Sequence, residues 1–334
     1  MLESRSFGLE GRFVAIVSAL VLATAACGGG SNNSSAPTAP TSPAPAVATT
    51  ATLTGQVVSL NGGAPISGIA VDANGVAATS DSQGMFSVTM PSGATAERIV
   101  MTAPQILSRT VFVTRTTRTL RLDVIRTDDG GFETAYYRQF VRNEFGTTTT
   151  GLQPIRRWTR SPSFYLRTVD EKGTPVDPAI LDGVEADIRL VVPMFTAGQF
   201  DVATIERGTQ TRETTSGWIT VRVFTDTEEQ GVCGRANVGL ELGGLITLYK
   251  TGCGCDGSPI GHGLTRHEIG HSMGFWHTDR RADVMFPTIG ACHAMPSSAE
   301  RFHASIAYAR PVGNMDPDID PSTTIRVAPQ IAVN

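Results

Sequence analysis

The sequence of 334 residues carries little charge: charged residues make up 17% of it, and the net charge at pH 7 is −4. It has no basic run and no stripe of alternating aromatic and basic residues, so it lacks the electrostatic attraction to phosphates on which nucleic-acid binding depends. After residue 26, no apolar stretch is long enough to span a bilayer. With 40% hydrophobic residues, the chain can bury one sizeable core and a smaller second one. We therefore expect a globular protein that binds no nucleic acid.

Residues 1–26 are typical of an export signal, since arginines precede an apolar stretch from Phe13 to Leu22 and small residues follow it. Cys27 comes directly after these small residues. This arrangement is similar to the processing site of bacterial lipoproteins, where the cysteine is lipidated and becomes the new N terminus. The alternative is ordinary cleavage, which would release a secreted protein with Cys27 as a free thiol. Residues 27–50 are rich in Ser, Thr, Pro and Ala, which favours a disordered linker.

The expected location follows from these features. We expect an exported protein in the bacterial cell envelope or at the cell surface, touching the membrane only through its N-terminal lipid. If Cys27 is not lipidated, we expect a secreted protein.

Residues 51–126 alternate between apolar and polar side chains in short segments separated by turns, which predicts a small all-β sandwich domain. The predicted strands are Leu53–Val58, Gly68–Val71, Gly84–Val88, Thr110–Val113 and Leu120–Val124. Segments 55–57, 64–71 and 79–86 resemble the carboxypeptidase regulatory-like, transthyretin-type fold. The region has no paired carboxylates, histidine cluster or nucleophile. Its expected role is therefore that of a spacer, or binding of carbohydrate or protein.

Three histidines in one short stretch carry the chemistry of this sequence. His267 and His271 are four residues apart, so on a helix they lie on one face and can bind the same metal, with Glu268 projecting beside it. His277 comes ten residues after His267, and a continued helix would carry it about 15 Å away. The helix must therefore end first, and Gly274 is suited to turn the chain back. The spacing predicts one Zn²⁺ bound by the three histidines.

The predicted reaction is hydrolysis of peptide bonds. Three neutral histidine ligands leave zinc an open position, where the pKa of a bound water falls to about 7. Glu268 is suited to act as general base toward that water and to pass the proton to the leaving amine. The alternatives are an amphipathic helix with incidental histidines, a catalytically silent adhesin on the same scaffold, and an enzyme with one narrow target such as itself. The presence of Glu268 favours an active endopeptidase with a protein or peptide substrate.

A methionine follows the third histidine by eight residues, in the segment Asp283–Pro287. The motif from His267 to His277 together with this methionine, Met285, resembles the metzincin signature, and most closely that of the matrixin branch. The resemblance implies a Met-turn in which Met285 forms an apolar floor beneath the histidines. An ordinary core methionine is the alternative. Thr278 and Phe286 differ from the serine and tyrosine that are usual in matrixins.

Residues 130–312 have the signals of an α/β domain. The predicted elements are a helix over Phe132–Phe145, a strand within Ile155–Thr168, a helix from Asp177 to Thr196, strands over Trp218–Phe224, Gly234–Leu240 and Leu245–Tyr249, the zinc helix, and a helix over Ser297–Ala309. The order resembles that of matrixins and implies an α+β catalytic domain with a mixed sheet.

The resemblance also implies a role in substrate binding for the strand over Gly234–Leu240. It would form the edge of the sheet above the cleft, where an extended substrate adds as a further strand. The residues expected to line this edge are Ala236, Asn237, Val238 and Gly239. A strand that merely fills the sheet is the alternative.

Four cysteines surround the zinc helix: Cys233, Cys253, Cys255 and Cys292. An even number in an exported chain predicts two disulfides. Cys253 and Cys255 are too close in sequence to be good partners, so each is expected to pair with Cys233 or Cys292. A structural zinc is the alternative, although no pair has the Cys-x₂-Cys spacing.

The remaining polar features carry no predicted site. The acidic segment 316–321, within the C-terminal tail 313–334, lacks the glycine turn and closing glutamate of a calcium loop, so calcium is not indicated and a disordered acidic tail is expected. His262, His293 and His303 lack ligand spacing and are expected at the surface or in supporting positions.

Overall fold

A computed structural model describes residues 50–91, 96–114, 119–145, 151–225, 231–239, 241–255, 257–288, 291–323 and 325–326. The predicted export signal, Cys27 and nearly all of the linker lie outside these residues. Residues 48–334 belong to one compact unit.

The N-terminal part of this unit consists of strands. They are β1 (Thr50–Ser59), β2 (Ala70–Ala73), β3 (Val76–Thr79), β4 (Met85–Pro91), β5 (Ala96–Thr102), β6 (Arg109–Thr114) and β7 (Thr119–Val124). One sheet has the order β4-β1-β7, and the second has the order β6-β5-β2-β3 with the short strand β13 (Ile325–Arg326) beside β6. Along β7 the side chains of Leu120, Leu122 and Val124 are buried while those between them are more exposed. This alternation gives each sheet one apolar face, and the two sheets share a single core.

The second part is mixed α/β. Its elements are α1 (Thr134–Arg142), β8 (Ser163–Arg167), α2 (Pro178–Phe195), β9 (Thr204–Gly208), β10 (Trp218–Phe224), β11 (Gly234–Ala236), β12 (Gly244–Tyr249), α3 (His262–Ser272) and α4 (Ser298–Tyr308). The five-stranded sheet has the order β11-β12-β10-β8-β9. Its strands are parallel except β11, which runs antiparallel to β12 and forms one edge of the sheet, opposite β9.

Local sequence explains where α2 and α4 begin. The Asp177 side chain accepts a hydrogen bond from the Ala179 N–H at 2.9 Å, and Pro178 occupies the first turn, where no N–H is needed. At α4, Ser297 and Glu300 form a reciprocal capping box. Both starts agree with the predicted positions.

Helix α3 is buried on all sides, from Gly263 to Ser272, even though it carries histidines, an arginine and a glutamate. It packs against α2 and beneath β11 and β12. Polar side chains are costly to bury unless they have a partner or a function, so this helix is a strong candidate for a functional site.

The C-terminal segment corrects the expectation of a disordered acidic tail. Asn314, Asp318 and Asp320 are buried, with exposed fractions of 0%, 0% and 1%. Asp318 accepts hydrogen bonds from Arg109 in β6 and from Arg310 after α4, and Asp320 pairs with Arg109. These ion pairs join the segment to both parts of the unit. Asp318 and Asp320 are therefore partners of buried arginines.

Within the described part of the chain, no helix has both the length and the apolar character needed to cross a bilayer.

Candidate metal centre

The end of α3 is built to reverse the chain. The last turn is closed by the N–H of Gly274, which donates to the His271 carbonyl at 2.8 Å, and Gly274 adopts a φ of 111° that favours glycine. A Cβ there would also collide with the Arg156 carbonyl group. The Trp158 indole N–H and the Tyr308 hydroxyl donate to the carbonyls at the helix end. The expected role of Gly274 agrees with this geometry.

The turn brings three imidazoles together. His277 Nε2 lies 3.2 Å from His267 Nε2 and 3.2 Å from His271 Nε2. Nitrogen ligands of a tetrahedral zinc with bonds of about 2.1 Å lie roughly 3.4 Å from one another. The spacing of the three Nε2 atoms is therefore that of a ligand set around one ion. Among the histidines, cysteines and carboxylates of the described residues, these three histidines are the cluster that could hold a metal ion.

The second nitrogen of two rings is already occupied. His267 Nδ1 lies 2.7 Å from the Val284 carbonyl oxygen, and His271 Nδ1 lies 2.8 Å from that of Phe275. A carbonyl only accepts, so each Nδ1 carries the proton and each Nε2 presents a lone pair. Lone pairs facing one another at 3.2 Å repel unless a cation lies between them. The donor set thus fits zinc.

Burial keeps these imidazoles neutral. His267 and His271 are only 6% and 9% exposed, and burial lowers the pKa of His267 to about 4. Burial, together with the neighbouring His267 and His277, lowers the pKa of His271, and burial lowers that of His277. The neutral form is the one that binds a metal.

Glu268 lies beside the histidines with an exposed fraction of 4%. Burial raises its pKa to about 8. None of the described residues hydrogen-bonds its Oε2. A buried carboxylate without a full set of partners is costly, and such groups are common where they act on a substrate.

Met285 is fully buried directly under α3. A Cβ added at Gly270 would lie 3.3 Å from Met285 Cε and closer still to Sδ, so the methionine packs against the helix between the two histidines. Met285 therefore packs against helix α3 at Gly270, and its role as the floor of the site stays a prediction.

The turn around Met285 is held by buried carboxylates that the sequence did not reveal. Glu300 accepts hydrogen bonds from the N–H groups of Val284 at 3.2 Å and Met285 at 2.8 Å. Asp283 accepts from the hydroxyls of Tyr136 and Thr278. Glu300 acts on His267 indirectly, because the carbonyl of Val284 is the acceptor of the His267 Nδ1–H.

A cleft of roughly 940 Å³ opens over the three histidines and Glu268. Its remaining lining comes from β11, the loop after β12, Trp276 and the segment after Met285. The cleft is large enough to admit an extended polypeptide segment.

Strand β11 borders this cleft and is shorter than predicted. Of the four residues expected at the edge, only Ala236 belongs to the strand. The Asn237 N–H donates to the Leu245 carbonyl and therefore points into the sheet. Val238 lines the cleft, and the Gly239 N–H donates to the His271 carbonyl.

The register of β11 identifies its free edge. Tyr249 N–H donates to the Cys233 carbonyl and Asn237 N–H donates to Leu245, so the bonds to β12 fall at alternate residues. In an antiparallel pair the residues between them direct their N–H and C=O outward. These are Gly234 and Ala236.

Two disulfides close the loop after β12. Cys233 pairs with Cys253 and Cys255 with Cys292, each with a Cα–Cα distance of 5.4 Å. Both Cys253 and Cys255 thus have a long-range partner, as predicted, and a structural zinc on these cysteines is excluded. Disulfides of this kind indicate an exported protein.

The other histidines have supporting positions. The His262 ring lies 2.8 Å from Asp187, which also binds Arg266, and Arg266 donates to the carbonyls of His293 and Ala294. His303 is buried against Ala299 and the N–H of Glu133. Asp187 and Arg266 escaped prediction because only the fold brings them together.

No family model and no curated protein matches this chain. Among solved structures, a C-terminal interface mutant of a type II cohesin–X-dockerin complex from Acetivibrio cellulolyticus matches at 25% identity with a TM-score of 0.18. The match covers 22% of this chain and 55% of that one, so the chain spans only about half of the structure it resembles. A TM-score this low carries no argument about fold or function.

Proposed function

We propose that this protein is a zinc-dependent endopeptidase of the metzincin type, similar to matrixins. The observation that carries the proposal is the convergence of three neutral Nε2 atoms beside one buried carboxylate, at the floor of a cleft bordered by a sheet edge. His267, His271 and His277 are the residues that would hold the metal. A zinc ion there supplies Lewis acidity and lowers the pKa of a water.

The remaining chemistry belongs to the chain itself. Glu268 lies beside the ligand set and takes a proton from the attacking water at its carboxylate, then gives it to the amine that leaves. Burial raises the pKa of Glu268, which makes its carboxylate a stronger base, and a cation bound by the three histidines would favour the ionised form of that carboxylate.

Strand β11 positions the substrate. The outward backbone groups of Gly234 and Ala236 are available to an extended peptide, which would add antiparallel to the edge and run along the cleft. Main-chain pairing of this kind binds many sequences, which suits an endopeptidase acting on proteins or peptides.

The proposal extends to the N-terminal region. We place the protein outside the cytoplasm, anchored by lipid on Cys27, with the β1–β7 region as a carboxypeptidase regulatory-like sandwich. The disulfides support export. Incorporation of labelled palmitate that is lost in Cys27→Ala would test the anchor.

The activity is tested with the full exported protein and a mixture of quenched fluorescent peptides. We expect cleavage that a zinc chelator abolishes and added zinc restores, and we expect Glu268→Ala to bind zinc without cleaving. If the folded, zinc-loaded protein cleaves no peptide, the enzyme proposal fails, and a silent adhesin on this scaffold becomes the better account.

A further inference from the structure

Gly234 lies against the carboxylate of Glu268. A Cβ built on Gly234 would lie 2.7 Å from Glu268 Cδ and 2.8 Å from Cγ, and closer still to Oε1. Carbon atoms that are not bonded do not approach so closely, since optimal separations are about 3.5–4.0 Å. The backbone of Gly234 does not have a positive φ. The need for glycine at this position is therefore one of space alone.

Neither partner can retreat. Strand β11 pairs with β12 on its inner side, and the adjacent Cys233 is bonded to Cys253. Glu268 is 4% exposed on a helix that is buried all round, so the surrounding atoms restrict rotation of its side chain away from β11. The freedom that remains is rotation of the carboxylate into the cleft, whose lining includes the three histidines.

We propose that Gly234 is a positioning residue, which fixes the carboxylate of Glu268 at its distance from the metal ligands. A side chain at this position would displace the carboxylate from β11 into the cleft, which the three histidines also line. This inference rests on the proposed function for its catalytic consequence, but the contact between Gly234 and Glu268 can be tested without any activity.

The test compares four forms of the full exported protein: wild type, Gly234→Ala, Glu268→Ala and the double variant. Each is loaded with Co²⁺, whose visible absorption reports the ligands and coordination number. We expect Gly234→Ala to bind one metal ion and to change the absorption band. In the double variant the band should match that of Glu268→Ala alone, because the group that the new methyl displaces is gone.

The same cycle applies to stability. Gly234→Ala should lower the melting temperature of the wild-type protein. The same substitution should have little effect in the Glu268→Ala background, since removal of the carboxylate makes room for the methyl group. If Gly234→Ala does not fold, recovery of folding in the double variant supports the inference. Gly130→Ala is the matched control, because a Cβ there meets nothing within 4 Å.

If the protein is a peptidase, Gly234→Ala should reduce kcat by about 10²-fold with little change in KM, as misplacement of a catalytic group by about 1 Å does. An unchanged cobalt band in folded Gly234→Ala would overturn the inference, as would a change that persists in the Glu268→Ala background. If wild type cleaves nothing while the cobalt cycle behaves as expected, the enzyme proposal fails and the positioning role stands.

Discussion

Asp318 holds together a group of buried charges, and its removal should be costly. Its carboxylate is 2.5 Å from Arg109 Nη1 and 2.9 Å from Arg310 Nε, and it accepts from Asn314 Nδ2 at 2.9 Å. Burial favours the protonated form, yet Arg310 and Arg109 hold the pKa of Asp318 below its usual value. The carboxylate is therefore ionised at neutral pH and balances two buried guanidinium groups.

Asp318→Asn keeps the shape and removes the charge. Breaking a buried ion pair by removing one partner costs about 3–5 kcal/mol. Because Arg109 keeps Asp320 and Arg310 keeps Asp123, we expect a loss at the lower end of this range. For a compact unit of residues 48–334, a loss of about 3 kcal/mol corresponds to a fall in melting temperature of roughly 5 °C. Calorimetry of the wild type and the variant at pH 7 measures this difference.

Asp316→Asn is the matched control from the same segment. Asp316 pairs with Arg138, but the two side chains are 23% and 36% exposed. Exposed pairs contribute about 0–1 kcal/mol. Equal effects of the two substitutions would refute the reasoning that burial makes Asp318 the critical residue.

Two further predictions concern the surroundings of the metal centre. Burial and the neighbouring Asp283 raise the pKa of Glu300 to about 7. The pKa of Glu300 is thus higher in the folded protein than in the unfolded one. Its contribution to the free energy of unfolding is therefore present at low pH, and on the order of 3 kcal/mol is lost as the pH rises through 7. In chelator, the unfolding free energy of Glu300→Gln relative to wild type should therefore rise from pH 5 to pH 8, and a flat difference would contradict this. Replacing Cys255 and Cys292 by serine opens a bond between residues 37 apart and should lower the unfolding free energy by about 4 kcal/mol in urea titrations, whereas a change below about 1 kcal/mol would contradict the constraint assigned to this bond.

Local patterns predicted the elements with strong local signals. In the strand Trp218–Phe224, apolar residues at 219, 221 and 223 alternate with the polar residues at 220 and 222. The helix after Asp177 has its cap and its first-turn proline. Both elements lie where the sequence predicts them. Strands β3, β5 and β9 escaped prediction. Strand β3 consists largely of small residues, β5 has three apolar residues in a row at 99–101, and β9 is partly exposed at a sheet edge. None of the three has a clear apolar alternation.

The cluster of histidines could be predicted from the sequence because its geometry is local: a helix and one turn bring His267, His271 and His277 together. The contacts that hold the surrounding segments in place could not be predicted from the sequence. Glu300 and Val284 are 16 residues apart, and Arg109 and Asp318 are 209 apart. A single sequence does not show which distant charges meet, so the acidic tail looked solvated although the fold buries it.

In the proposed function, one zinc ion would be held by three histidines and Glu268 would act as the base in peptide hydrolysis. The most direct measurement is a titration of metal-free protein with zinc while peptide hydrolysis is followed, in wild type and in Glu268→Ala. We expect both proteins to bind one equivalent of zinc and only wild type to gain activity, which reaches its maximum at that equivalent. Equal activity in the two proteins, or hydrolysis by wild type without zinc, would contradict it.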